Sequence, residues 1–477
     1  MVFQSIEYLL FLVCVLAVYF WLPRRGQNAL LIAASYTFYC WVHQWYLILI
    51  GLTTIFDWFC ARGMEDSRSA GQRKAFFITS ISVNLAILGV FKYFGFFTEN
   101  LTAALASIGV MESPIFIRIA LPAGISFFTF QSVSYAVDVY RGQTKACRSL
   151  LDYATFVSFF PQLVAGPIER AHHMLPQYAL PRVVRLEGVR TGLVLLLWGL
   201  FQKVVIADSA ALLADKVFSL GDASFPVLWG GVIAFGVQIY ADFSGYTDMA
   251  RGSARLLGIE LCRNFDHPYL AQSPGEFWRR WHISLSTWFR DYVYIPLGGS
   301  RAGTPRMVRN LIITFFLSGL WHGAAWNYVI WGTYHGVLVA LWPFLTARAP
   351  LLGNKGGAAG TVLRVTITFA LMHIGWLMFR EHSLAMLAHD LALNPFAASA
   401  AEWRIGAALG IEALLYGLPL FVILPLLHRL NALLDADDHR LTEWRWTLLQ
   451  TGAVTACLLG IVSLRCAVGS DFIYFQF

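Results

Sequence analysis

Leu311-Ile-Ile-Thr-Phe-Phe-Leu-Ser-Gly-Leu-Trp-His-Gly-Ala-Ala-Trp326 opens an apolar stretch that runs on to Leu341 without a lysine, arginine, aspartate or glutamate. About 20 consecutive apolar residues suffice to cross the roughly 30 Å hydrocarbon core of a bilayer. The stretch therefore reads as membrane-embedded, and His322 lies inside it. An ionisable side chain at that depth is costly, so such residues face a bundle interior or a wet cavity and mark function by default. A second histidine, His282, stands in the middle of Glu276-Phe-Trp-Arg-Arg-Trp-His-Ile-Ser-Leu-Ser-Thr-Trp-Phe-Arg-Asp291. Two histidine motifs on a polytopic chain point to chemistry rather than scaffolding.

Working outward, apolar runs recur near residues 4–22, 28–60, 75–97, 115–139, 151–168, 189–206, 227–258, 270–297, 309–346, 360–380, 405–427 and 446–467. The 477 residues are 57% hydrophobic and only 13% charged, against about 25% charged in soluble proteins. The expected fold class is an all-α polytopic membrane protein with about 11 to 13 membrane helices, several of them short. It reads as one integral-membrane domain over 1–477, with N-terminal helices in 1–140, a catalytic core in about 141–346 and C-terminal helices and a tail in 347–477.

The formal net charge of +7 is gathered into a few loops. That pattern informs on topology and lipid contact; it is not a nucleic-acid footprint. Arg24 and Arg25 place the C-terminal end of the first helix in the cytoplasm, as do Arg62, Arg68, Arg73 and Lys74 for the loop after residue 60. The 28–60 run is too long for one span, so two short helices split near His43-Gln44 are expected. Basic residues flank the short run 151–168, which Pro161 and Gly166-Pro167 interrupt. It reads as a re-entrant segment, which is tolerated only where it is buried in protein or lines a cavity. The helices between Arg251 and Arg309 read as amphipathic and partly interfacial. The seven cysteines show neither a CxxC pair nor metal-ligand spacing, and no metal site is expected.

At its histidine motifs the chain resembles the membrane-bound O-acyltransferase family, and within it the branch that O-acetylates alginate. The matching phrases are Pro122-Ala-Gly-Ile-Ser-Phe-Phe-Thr-Phe-Gln131, Phe160-Pro-Gln-Leu-Val-Ala-Gly-Pro-Ile168, Tyr240-Ala-Asp-Phe-Ser-Gly-Tyr-Thr-Asp248, Glu276 to Asp291, Tyr294-Ile-Pro-Leu-Gly-Gly299, Gly319-Leu-Trp-His-Gly323 and the terminal Phe472-Ile-Tyr-Phe-Gln-Phe477. The resemblance implies a bundle of short and re-entrant helices around a central chamber in the bacterial inner membrane. It implies transfer of acetyl from cytoplasmic acetyl-CoA, or from an acyl carrier, towards an exported or periplasmic polysaccharide, alginate first. It also implies a periplasmic partner resembling an SGNH hydrolase. Other readings stay open: D-alanylation of teichoic acid, acetylation of peptidoglycan or cellulose, a proton-coupled transporter, or a scaffold without activity.

By the same resemblance His322 is the catalytic histidine and His282 a second one in the active site. Acyl transfer needs a base to take the proton of the attacking hydroxyl, and imidazole suits that work. Arg279, Arg280 and Arg290, beside Trp281, have two readings: binding the donor's phosphates, or anchoring to lipid headgroups. Asp242 reads first as a buried ion-pair partner for nearby arginines, with a catalytic role as the alternative. Tyr474, in the tail, resembles a tyrosine that takes the acyl group and relays it outward; the other reading is a terminal aromatic anchor.

Overall fold

The computed structural model describes residues 1–41, 44–110, 115, 119, 122, 124–163, 166–301, 303–349, 357–425, 439–467 and 469–473. Tyr474 and His43 lie outside the described residues. Regular structure among those described is helical throughout. Among the described residues, seven helical runs are long and apolar enough to cross a membrane: Tyr46–Asp66, Ala70–Ser107, Leu186–Phe218, Phe225–Leu256, Trp326–Arg348, Gly357–Arg380 and Ala400–Ile423. The shorter apolar helices Ile6–Tyr19 and Thr451–Leu464 add to them. The protein is thus an all-α polytopic membrane protein.

The chain divides into two compact units. The first holds residues 1–192, 250–262 and 323–325. Its helices are α1 (Ile6–Tyr19), α2 (Arg24–Cys40), α3 (Tyr46–Asp66), α4 (Ala70–Leu88), α5 (Phe94–Ser107), α6 (Ile125–Arg141), α7 (Leu150–Ser158), α8 (Phe160–Leu163) and α9 (Ala171–Tyr178). Ser5 caps α1 by accepting from the Tyr8 amide, and Pro23 separates α1 from α2. The 28–60 run is indeed two helices, since α2 stops at Cys40 and α3 starts at Tyr46. A π-helical turn, Gly89–Tyr93, joins α4 to α5. Helix α6 is bracketed by Gly124 (φ 77°) and Gly142 (φ 73°), both left-handed, a conformation that glycine adopts without penalty. The run 151–168 breaks at Phe159 between two short helices. A buried polar knot ties α1, α2 and α7 to the segment after α9. Asn28 donates to Asp152 at 2.7 Å, and Arg182 donates to Asn28 at 2.6 Å and to the Tyr19 hydroxyl at 2.7 Å.

The second unit holds residues 193–249, 263–322 and 326–477. Helix α10 (Leu186–Phe201) runs through a π-helical segment, Gln202–Ala207, into α11 (Asp208–Phe218). Then follow the 32-residue α12 (Phe225–Leu256), the one-to-two-turn helices α13 (Pro274–Arg280) and α14 (Ile283–Phe289), and α15 (Thr304–His322) and α16 (Trp326–Arg348). The series ends with α17 (Gly357–Arg380), α18 (Leu384–Ala392), α19 (Ala400–Leu418) and α20 (His439–Leu464). Helices α15 and α16 meet backbone to backbone. A Cβ on Gly319 would lie 2.2 Å from the Tyr328 carbonyl oxygen, and one on Gly332 would lie 2.3 Å from that of Phe315. Small residues at such crossings let membrane helices approach and gain dispersion contacts where no hydrophobic drive exists.

Candidate active site

The close α15–α16 crossing decides where His322 points. His322 is the last residue of α15, and Gly323 follows it where a helix commonly stops. The histidine therefore stands at a helix end within the apolar stretch. Its side chain is buried among aromatic rings. Centroids lie 4.9 Å from Trp321, 4.9 Å from Trp331 of α16 and 5.4 Å from Phe379 of α17, all edge-to-face. Ring edges and faces arranged this way fix the imidazole plane without adding charge.

His282 lies between α13 and α14 and is fully buried. Its backbone is left-handed (φ 42°, ψ 56°), one of two such non-glycine residues among those described. A conformation of this kind costs about 1–3 kcal/mol and persists only where the surroundings impose it. Asn264 imposes it. Its carbonyl accepts from the Ile283 amide at 2.9 Å, and its side-chain oxygen accepts from the Ser284 hydroxyl at 2.7 Å and amide at 3.2 Å. The Asp266 amide donates to the Arg280 carbonyl at 2.9 Å, closing the other side of the turn. The imidazole so aimed meets Phe243 of α12 at 4.7 Å and Trp321 at 6.2 Å. Trp321 therefore touches both histidines, and the two motifs meet through that one ring.

Around this pair the aromatic wall continues. Trp281, expected near the donor, is buried in it, 4.9 Å from Trp376, 5.1 Å from Phe265 and 5.5 Å from Phe277. His335 packs 5.0 Å from both Trp278 and Trp331. His373 bonds through Nδ1 to the Phe369 carbonyl at 2.8 Å. The arginines divide. Arg280 pairs with Glu276 at 2.6 Å, Arg290 pairs with Asp291 at 2.7 Å, and Arg279 is exposed. The segment from α13 to α14 is thus polar on one side and buried through Phe277, Trp278, Trp281, His282 and Leu285 on the other.

Asp242 finds its partner in a lysine and not in an arginine. Its Oδ1 is 2.9 Å from Nζ of Lys203, which also lies 2.9 Å from Asp208. All three side chains are at most 4% exposed. Sequence reading missed Lys203, Asp208 and Asn264. Lys203 carried a signal, the one cation between Thr191 and Ile206 in that apolar run, whereas Asn264 acts through contacts some 20 residues away that no local pattern announces.

Buried imidazoles with fixed planes, packed in an aromatic wall and set beside short helices, suit proton transfer to and from a poorly hydrated substrate. Comparison with known proteins gives the family. Residues 145–379 match the model of the membrane-bound O-acyltransferase family. The chain is 42% identical to the probable alginate O-acetylase AlgI of Azotobacter vinelandii, over 85% of this chain and 79% of that protein. It is 32% identical to a peptidoglycan O-acetyltransferase of Helicobacter pylori, over 96% and 94% of the two chains. It is 29% identical to a teichoic acid D-alanyltransferase of Bacillus subtilis, over 54% and 68%. Together with the membrane-crossing helices, these matches make the protein a multi-pass acyltransferase of the bacterial inner membrane. The transporter and scaffold readings fall with that result. The chain belongs to the membrane-bound O-acyltransferase family.

Proposed function

We propose that the protein transfers acetyl from cytoplasmic acetyl-CoA towards hydroxyl groups of an exported polysaccharide, alginate in the first instance. One observation carries the mechanism: His282 and His322 face the same ring, Trp321, from two separate motifs. His322 takes the proton of the acceptor hydroxyl as its oxygen attacks the thioester carbonyl. His282 holds the donor's carbonyl end in register. The carbon–sulfur bond breaks, and the imidazolium of His322 returns the proton to the departing thiolate, so charge and protons balance. Arg279, exposed beside the paired Arg280, is the side chain best placed to meet the donor's phosphates. Tyr474 serves as the first acceptor, and a periplasmic SGNH-hydrolase-like partner completes esterification of the sugar.

The names of the alginate O-acetylase relatives support the acceptor, and their similarity covers most of both chains. The Helicobacter pylori relative spans nearly the whole chain and favours peptidoglycan as the second reading. The test uses the purified protein in lipid, labelled acetyl-CoA, and alginate or peptidoglycan fragments with the partner added. His322→Ala should lower CoA release by about 10²–10⁴-fold, the usual worth of a general base. Undiminished release by that variant would remove His322 from the chemistry. Label on peptidoglycan but not alginate would replace the acceptor.

A further inference from the structure

Lys203, Asp208 and Asp242 form a buried charge cluster that the acyl-transfer chemistry does not use. One ammonium faces two carboxylates, so the cluster carries one negative charge in excess at membrane depth, where such a charge needs compensation. The compensation comes from the C-terminal segment. The Ile473 amide donates to Asp242 at 2.7 Å, and the Ser470 hydroxyl donates to Asp208 at 2.7 Å, with the Ser470 amide 3.3 Å away. In return, the Lys203 ammonium donates to the Ser470 carbonyl at 2.7 Å and hydroxyl at 3.1 Å.

The local backbone is built for this. Lys203 belongs to the π-helical segment Gln202–Ala207, and the Val204 carbonyl of that segment accepts from the Cys466 amide at 3.1 Å. Wide turns of this kind recur at functional sites because they leave carbonyls without their usual helical donor. Phe472 then stacks on Tyr246 at 3.9 Å and lies 6.2 Å from Phe243, the ring that meets His282 at 4.7 Å. Phe472 and Ile473 are both fully buried.

We propose that Lys203, Asp208 and Asp242 are positioning residues that clamp the segment Ser470–Ile473 beside His282, so that acyl transfer requires the docked tail. Tail and cluster complete each other. Without the tail the second carboxylate is uncompensated, and without Lys203 the tail meets two like charges. This proposal rests on His282 and His322 being the transfer site, and Tyr474 is the residue that the clamp precedes in the chain.

The experiment is hydrogen–deuterium exchange on the full-length protein in lipid nanodiscs, read by mass on the C-terminal peptide, for the unaltered chain and for Lys203→Met and Ser470→Ala. In the unaltered chain the amides of Ser470 and Ile473, which donate to Asp208 and Asp242, should be protected. They should exchange about tenfold or more faster in Lys203→Met and about threefold faster in Ser470→Ala, in line with the loss of charge-assisted and ordinary hydrogen bonds. Ser470→Ala leaves the buried charges in place, so misfolding of the lysine variant alone does not decide the matter. Both variants should lower the transfer rate at saturating acetyl-CoA with KM unchanged. Unprotected tail amides in the unaltered chain, unaltered protection in both variants, or a raised KM at full rate would each overturn the clamp. The relay is judged separately. Full transfer by Tyr474→Phe would end the acyl-tyrosine step while the exchange data still decide the clamp.

Discussion

Asn264 does for His282 what the α15–α16 crossing does for His322: it holds an imidazole in an orientation that the local chain would not choose. Its side-chain oxygen accepts from both the Ser284 amide and hydroxyl, and Asn264 and Ser284 are buried. Asn264→Ala leaves those donors unsatisfied, which costs about 1–3 kcal/mol. It also frees His282 to leave its left-handed conformation. The expected result is a lower unfolding temperature in detergent together with a drop in transfer rate larger than the stability loss explains. A variant that unfolds earlier yet transfers at full rate once folded would show that the His282 geometry is not needed. At this scale the two histidines were legible because an ionisable group in an apolar run stands out. Their supports were not. Phe243, Asn264 and Phe379 are ordinary residues whose work depends on which distant ring or turn they touch.

Helices tell a similar story, with glycine as the exception that can be read. The motif Gly319-Leu-Trp-His-Gly323 places its first glycine where α15 and α16 touch and its histidine where α15 ends. A Cβ at Gly319 would stand 2.2 Å from the Tyr328 carbonyl oxygen and 3.1 Å from the Gly332 Cα, both backbone atoms that cannot rotate away. Gly319→Ala should therefore push the helices apart and destabilise the protein by about 1–3 kcal/mol, taking Trp321 and His322 off their partners. Gly452 of α20 has open space at its Cβ position, so Gly452→Ala should be neutral or slightly stabilising through helix propensity. Thermal unfolding of both variants checks the contrast, and equal behaviour would mean that α15 and α16 repack freely. The two-helix nature of the run 28–60 was legible from length alone. The stop after His322 was only half legible: Gly323 is a stop signal, but the apolar pattern continues across it, and the widening of the helix into a π-helical segment at Lys203 leaves no local pattern at all.

Across the whole chain, the charge pattern is what sequence conveys best. Basic residues cluster after α3 and after α6, and the positive-inside rule assigns both loops to the cytoplasm. Within the first unit these loops meet. Arg148 pairs with Asp66 at 2.9 Å and lies 3.6 Å from Glu65, the Ala146 amide donates to Glu65 at 3.0 Å, and Arg73 donates to the Tyr140 carbonyl at 2.6 Å. The chain must therefore leave and return between them, out through the continuous helical run Ala70–Ser107 and back through α6. Individually such exposed pairs add little stability, but they fix both loops to one side, the side from which the donor of the proposed reaction would arrive. Arg68→Cys and Lys145→Cys, both at exposed positions, placed in a chain whose native cysteines are replaced, should react with a membrane-impermeant maleimide only from the cytoplasmic face. Labelling of the two from opposite faces would contradict the Arg148 contacts. Labelling of both from the periplasm would keep the contacts but invert the molecule, and the acyl donor would then have to reach His282 and His322 by a path starting from the other loops.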